Sequence, residues 1–348
     1  MHGRTLLARR AFLSLPFAAA AFAAGKGQTF PIEGVRYADP STEFPVERLT
    51  DPKYASYWPH PYARAIAKKG AFFLYSSDRG EGLQAFRYEL RSGESKQLTE
   101  AKQLHPETLN ILPDDRGFAY VDGRSVYVAS FSGLREREVY RVPDGWDVGD
   151  GFTVSGDGIY AVLAEKQEAK SRLRLIGVAK GNVTTLVEHD GILAHPQTRP
   201  RRASVLYHRD DQLCLINYDG QNNIELAKIT QSPGAALWSP DGRTVQYLDR
   251  ITDMREITPD TRQDKRIGPT SQFGNMSRNA DGTVFVAASR SKAQPYVLLM
   301  VRTVKRELAI CEHRASEPAK VAPVFSPTSQ RIYFQSDRDG KPAIYSVV

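Results

Sequence analysis

Cysteine is scarce in this chain, with only two residues among 348. A disulfide framework and a cysteine-rich zinc or iron–sulfur site are therefore excluded. Methionine is also rare, with 4 residues against 16 Tyr and 15 Phe, which favours strands over a helical bundle. The apolar content of 41% and the charged content of 25% are ordinary globular values. They exclude a disordered chain and a polytopic membrane protein.

Several motifs that carry chemistry are missing. The sequence contains no H-E-x-x-H or H-x-H pattern, no G-x-S-x-G elbow and no phosphate-binding loop. The net charge of +7 is not concentrated in a Lys/Arg-rich run with interleaved aromatic residues. The sequence therefore predicts no nucleic-acid partner.

Residues 1–23 have the features of an export signal. A basic start with Arg4, Arg9 and Arg10 precedes a short apolar run, 12–23, whose last three residues (Ala-Phe-Ala) fit a cleavage site. The run is too short to span a bilayer as a helix, and the arginine pair resembles a twin-arginine signal. We predict an exported protein, periplasmic or secreted, with no membrane span after signal removal. A disordered or anchored N-terminus is the alternative.

A repeat runs through the rest of the chain. Each unit has a turn, an apolar strand, a second turn and an alternating strand, as in the segment that starts at Phe325 and the one that starts at Ile66. Seven such turns recur at a spacing of roughly 40–48 residues, which is typical of β-propeller blades. We predict an all-β, seven-bladed β-propeller, with a two-domain β-sandwich as the alternative.

The ends of the chain indicate how the ring closes. The last unit stops at Val348 after its third strand, and residues 44–50 supply a strand that matches the missing fourth. We expect this N-terminal strand to complete the last blade, which removes an exposed sheet edge. The predicted organisation is an N-terminal extension over 24–43 and the propeller over 44–348.

Three histidines precede predicted blades at equivalent positions. His60, His105 and His195 lie ahead of the first, second and fourth blades, so we expect them to converge on one face. The remaining histidines of the predicted propeller fit strand ends or outer loops: His189, His208 and His313.

Several segments resemble one family. The stretch 139–146, VYRVPDGW, the stretch 193–200, LAHPQTRP, and the final SDRDGKPAIY resemble oligogalacturonate lyases, the seven-bladed propellers of polysaccharide lyase family 22. The similarity covers nearly the whole chain after the signal. Shorter pieces such as SPDG are shared with Tol-type propellers.

The resemblance implies β-elimination on short galacturonides in pectin breakdown. His195 matches the family's base, and Arg172 matches the arginine that assists it. A histidine suits proton abstraction near neutral pH, and an arginine suits a carboxylate because its fork binds two oxygens. Arg199, His60, Lys320 and Asn275 are the predicted substrate-binding residues for an acidic oligosaccharide.

The chain departs from the family at the metal site. The resemblance implies a divalent cation such as Mn²⁺, held by three His and a Gln. Family histidines at and near this site fall at Ala235, Lys320, Ala322 and about Asn275, and Glu317 sits where the Gln would be. We therefore predict no metal ligands and no cofactor, with Lys320 as a possible replacement cation.

Three functions remain open at this stage. The first is an active lyase on uronate-containing sugars. The second is a catalytically inactive propeller that binds acidic sugars, since loss of a metal removes several kcal/mol of charge stabilisation. The third is a Tol-like propeller that binds other proteins.

Overall fold

A computed structural model describes residues 25–229 and 235–348, and the predicted export signal lies outside these ranges. The described chain forms seven antiparallel sheets, arranged as the blades of a ring. The predicted seven-bladed β-propeller is confirmed. No helix in the described part of the chain is long and apolar enough to cross a membrane.

Three short strands precede the blades in the chain: β1 (Thr29–Phe30), β2 (Val35–Ala38) and β3 (Pro45–Arg48). Blades 1 to 3 contain β4 (Ser56–Tyr57), β5 (Phe72–Gly80), β6 (Gly82–Glu89), β7 (Ser95–Gln97), β8 (Asn110–Ile111), β9 (Gly117–Asp122), β10 (Ser125–Ser130), β11 (Glu136–Arg141), β12 (Asp147–Val154), β13 (Tyr160–Gln167), β14 (Lys170–Gly177) and β15 (Val183–Asp190). Blades 4 and 5 contain β16 (Leu193–Thr198), β17 (Ser204–Arg209), β18 (Gln212–Asn217), β19 (Ile224–Lys228), β20 (Ala236–Trp238), β21 (Val245–Asp249), β22 (Asp253–Thr258) and β23 (Gln263–Pro269). Blades 6 and 7 contain β24 (Phe273–Arg278), β25 (Val284–Ser289), β26 (Tyr296–Val301), β27 (Arg306–Glu312), β28 (Val324–Phe325), β29 (Ile332–Ser336) and β30 (Ala343–Val347). Two single 3₁₀ turns, Pro106–Thr108 and Pro318–Lys320, precede blades 2 and 7.

The core lies between neighbouring blades. Each middle strand is covered on both faces, so its buried residues form a continuous apolar run, as in β5 and β17. Between blades 7 and 1, Trp58 stacks on Tyr333 at 5.6 Å, and Phe73 packs against both rings. Aromatic rings therefore supply much of the packing between these two blades.

Strands from near the start and the end of the described chain meet in blade 7. Strand β3 pairs with β30, with Val46 opposite Val347 and Arg48 opposite Tyr345, and β2 pairs with the outer edge of β3. Strand β1 pairs with β7 of blade 1. Residues near the start of the described chain thus add a strand to blade 1 and two strands to blade 7.

Candidate functional site

The first strands of the seven blades surround a central cavity of about 980 Å³. Its wall includes four of the residues predicted from the sequence: His60, His195, Asn275 and Lys320. The other two, Arg172 and Arg199, do not belong to this wall. One continuous cavity with a few converging polar groups is the usual form of a small-molecule site.

Three first strands carry a β-bulge at the same level of the ring. In β16, Ala194 is opposite His208 and Gln197 is opposite Leu206, so two residues face a single partner. In β24, Gly274 and Asn275 likewise face the single residue Ala288, whereas in β12 three residues, 149–151, face Ala164. The bulges contain Asp150, His195 and Asn275, and all three line the cavity. A bulge frees a residue from the ladder and redirects its side chain.

The backbone of His195 is strained. Its φ is +51°, in the left-handed region that costs a non-glycine residue about 1–3 kcal/mol. Gly151 of the neighbouring bulge packs against it, and a Cβ at that glycine would lie 2.6 Å from Pro196 Cδ and 3.0 Å from His195 Cα. The two bulges therefore hold each other in place, and the position of the imidazole depends on both.

Three histidine rings lie together in the cavity. The ring of His195 is 4.9 Å from that of His60 and 5.5 Å from that of His208, measured between centroids. Burial lowers the pKa of all three histidines. The pKa of His195 is lowered, that of His60 falls well below the ordinary value, and that of His208 falls to about 3. The carboxylate of Asp150 partly opposes the shift at His195. All three imidazoles are therefore neutral at pH 7.

The structure brings together part of the predicted histidine group. His60 and His195 converge as expected, whereas the third member, His105, bonds the carbonyl oxygen of Gly123 at 2.9 Å and is absent from the cavity wall. His208 lies near the end of β17, as predicted, but its ring faces the cavity. His208 lies within a run of buried strand residues, and such a histidine is typical of a core position. The sequence therefore did not indicate that His208 lines the cavity.

Tyr62 is a further site residue that the sequence did not indicate. Its ring lies 3.7 Å from that of His60, and its Oη is 3.5 Å from His195 Nδ1. Burial raises the pKa of Tyr62 well above 10, so the hydroxyl stays protonated. When His195 Nδ1–H donates to Tyr62 Oη, the free lone pair of the imidazole is on Nε2.

Arg172 is bound inside blade 3. Its Nε donates to Glu165 Oε2 at 2.6 Å, and its guanidinium lies 3.8 Å from the centre of the Trp146 ring. The Glu165 carboxylate is fully buried and also accepts a bond from Tyr140 Oη at 2.6 Å. Trp146 directly precedes β12, the strand that carries Asp150. The position suits a residue that supports the wall of the cavity, and its predicted catalytic role stays a prediction.

Arg199 forms contacts between blades. Its Nε donates to the carbonyl oxygen of Gly242, and its two Nη atoms bond Asp260. The guanidinium also lies 5.1 Å from the centre of the Trp238 ring. These partners occupy its hydrogen-bonding groups, and its predicted substrate contact stays a prediction.

The residues predicted to replace the family's metal ligands do not fit a divalent cation. Ala235 and Ala322 end in methyl groups, and the amide of Asn275 donates to the carbonyl oxygen of Ala319 at 2.8 Å. Lys320 places an ammonium there, 3.0 Å from Glu317 Oε1. Over residues 25–229 and 235–348, no group of three His, Cys, Asp or Glu side chains is arranged to hold a metal ion.

The fold and the cavity define a seven-bladed propeller with a histidine-lined central site. No family model matches the sequence. The chain is 23% identical to an oligogalacturonide lyase of Pectobacterium atrosepticum and 22% identical to an oligogalacturonate lyase of Dickeya dadantii. Each alignment covers 92% of this chain and 97% of the relative.

Solved structures agree with these relatives on the fold. An oligogalacturonate lyase in complex with manganese superposes with a TM-score of 0.86 at 23% identity, over 93% of this chain and 98% of its own. An oligogalacturonate lyase from Vibrio parahaemolyticus has a TM-score of 0.84 at 21% identity, over 93% of this chain and 98% of its own. A TolB structure from Acinetobacter baumannii reaches only 0.50 at 14% identity, over 73% and 62%. The resemblance to oligogalacturonate lyases is confirmed, and it is much closer than the likeness to the Tol-type propeller.

Proposed function

We propose that this protein is a lyase of the oligogalacturonate type that cleaves uronate-containing oligosaccharides by β-elimination. One observation carries the proposal. A strained β-bulge presents the half-buried, neutral imidazole of His195 to the central cavity. A relationship over 92% of the chain to two lyases supports the same chemistry.

The proposed reaction begins at the carbon next to the uronate carboxylate. His195 Nε2 takes the proton from C5, and the electron pair left behind forms the C4–C5 double bond. The C4–O bond breaks, and the departing oxygen takes a proton from water in the open cavity. In the tautomer that this step needs, Nδ1–H of His195 donates to Tyr62 Oη across 3.5 Å and Nε2 is free. A neutral base near pH 7 is the form that this step needs.

The remaining residues position the sugar. His60 packs beside the base, and Lys320 and Asn275 lie on the far wall of the cavity, where they contact the substrate in this proposal. Arg172 acts as a positioning residue through Trp146 and Glu165. Arg199 holds blades 4 and 5 together beneath the site. We also propose export by the signal in residues 1–23, so that the substrate is met in the periplasm or outside the cell.

The test is formation of the unsaturated product from digalacturonate, followed by ultraviolet absorbance. Replacing the base, His195→Gln, should lower kcat/KM by at least 100-fold, while calorimetry still detects sugar binding. His189→Gln is the matched control, because His189 is bonded to Asp210 at the surface and should leave the rate unchanged.

Two results would contradict the proposal. Product formation by His195→Gln at the wild-type rate would remove His195 from the mechanism. Sugar binding without any product from the unmodified protein, on digalacturonate and on a panel of other uronides, would favour the inactive sugar-binding alternative.

A further inference from the structure

Arg290 extends toward the cavity across the bulge of blade 6. It follows β25, and its side chain runs over Gly274, where a Cβ would lie 3.3 Å from Arg290 Cγ and 3.7 Å from its Cδ. A larger residue at position 274 would displace the methylene chain of Arg290. Arg290 lines the cavity, and none of the ion pairs among the described residues involves its guanidinium. The Arg290 guanidinium is therefore available to bind a ligand.

Lys320 approaches the same part of the cavity from blade 7. The Asn275 amide bonds Ala319, the residue before Lys320, so the bulge that Arg290 crosses is tied directly to the turn that carries the ammonium. The ammonium is paired with Glu317, and both side chains are well exposed. Such a pair is weak in water, and a carboxylate ligand can compete for the ammonium.

Two carboxylates line the cavity on the side of blades 2 and 3, those of Glu107 and Asp150. Burial and the charge of Asp150 raise the pKa of Glu107, and the ammonium of Lys320 partly opposes this shift. Between His195 in blade 4 and Arg290 in blade 6, blade 5 contributes Ala235, whose small side chain leaves space. A sugar over blade 5 would have its ring carbon near the imidazole and its carboxylate near the two cations.

We propose that Arg290, assisted by Lys320, binds the reacting carboxylate of the substrate and takes the place of a divalent metal ion. This inference rests on the proposed function, because it concerns the group that becomes more negative when the C5 proton leaves. The Arg290 fork donates two hydrogen bonds to the two carboxylate oxygens. These bonds strengthen as charge moves from C5 into the carboxylate. The lyase is therefore metal-independent.

The experiment uses the full-length protein treated with chelator, with its metal content measured by mass spectrometry. Calorimetry with galacturonate and with neutral galactose measures carboxylate recognition without catalysis. Arg290→Gln should weaken galacturonate binding about 10- to 100-fold, the range for lost hydrogen bonds to a charged group, and should leave galactose binding unchanged. Arg290→Lys should retain part of the affinity. Lys292→Gln, an equal loss of charge in the same loop but outside the cavity wall, is the control.

Product formation from digalacturonate is then measured with chelator and with added Mn²⁺. Unchanged activity in chelator, with a loss in Arg290→Gln of about 100-fold or more, supports the inference. Activity that disappears in chelator and returns with Mn²⁺ overturns the inference but leaves the proposed function intact. Equal binding of galacturonate by Arg290→Gln and Lys292→Gln also overturns it. Absence of product with binding that still depends on Arg290 would reject the lyase function and retain the carboxylate site.

Discussion

The ion pair between Arg172 and Glu165 allows a sharp test of what Arg172 does. Glu165 has no exposed surface, and its two oxygens accept bonds only 2.6 Å long from Arg172 Nε and Tyr140 Oη. Substitution of Arg172 by Met keeps the stem but leaves a buried carboxylate with one donor. Breaking a buried pair on one side costs about 3–5 kcal/mol. Loss of the stacking on Trp146 adds about 1 kcal/mol, and the surviving Tyr140 bond offsets part of the loss.

We therefore expect Arg172→Met to lower the free energy of unfolding by about 3–4 kcal/mol. Glu165→Gln alone should cost less, about 2 kcal/mol, because the amide oxygen still accepts a hydrogen bond. The double variant should be at least about 1.5 kcal/mol more stable than the sum of the two single losses predicts, because it contains neither of the two charges and so leaves none unpaired. Urea unfolding followed by tryptophan fluorescence measures the cycle, and Trp146 provides a local reporter.

The kinetic result separates support from catalysis. If Arg172 is a positioning residue, the fall in kcat should follow the loss in free energy of unfolding across the variants. The double variant of Arg172 and Glu165 should then regain part of the activity. A loss of stability below about 1 kcal/mol, together with a fall in kcat/KM of more than 100-fold, would refute this reasoning. Arg172 would then have to reach the substrate directly.

Two further predictions concern the bulges. The acid limb of the kcat/KM profile should lie below pH 6.5, because burial lowers the pKa of the base, His195, and only the neutral imidazole accepts a proton. Asp150→Asn removes the charge that raises this pKa, so the acid limb should move to lower pH. An acid limb that moves to higher pH in this variant would contradict the assigned charge effect. Gly151→Ala should reduce kcat at least 10-fold and also lower the free energy of unfolding, because a φ of +121° disfavours a side chain and the new Cβ would lie 2.6 Å from Pro196 Cδ and 2.9 Å from Tyr62 Oη; an unchanged kcat would show that the imidazole tolerates this displacement.

The architecture could be predicted because it repeats. Each blade repeats the same order of turn and apolar strand, so seven weak signals reinforce one another. The same periodicity predicted the convergence of His60 and His195, but it also placed His105 with them, and His105 instead bonds the carbonyl oxygen of Gly123 outside the cavity wall. Spacing was sufficient to predict the ring, whereas the direction of each side chain depends on local pairing.

The other residues of the cavity wall depend on where β-bulges interrupt the strand pairing. Asp150 and Asn275 reach the cavity through bulges, and a bulge has no reliable pattern in a single sequence. Arg290 reaches it across a glycine in another strand, a contact between distant positions. Arg172 illustrates the opposite case: the resemblance predicts a catalytic arginine at this position, whereas the guanidinium is bound to Glu165 in the structure.

The bulges also explain how the chemistry of this ring can change while its fold is kept. The bulged residues Asp150, His195 and Asn275 are outside the paired ladder, so a different side chain at one of these positions removes no strand hydrogen bond. Asn275, Ala322 and Lys320 lie on the cavity wall, away from the aromatic layers that join the blades. Substitutions at such positions have small effects on folding and large effects on what the cavity binds. A superposition at a TM-score of 0.86 with a manganese-containing lyase is therefore compatible with a cavity that neutralises carboxylates by fixed side-chain charge.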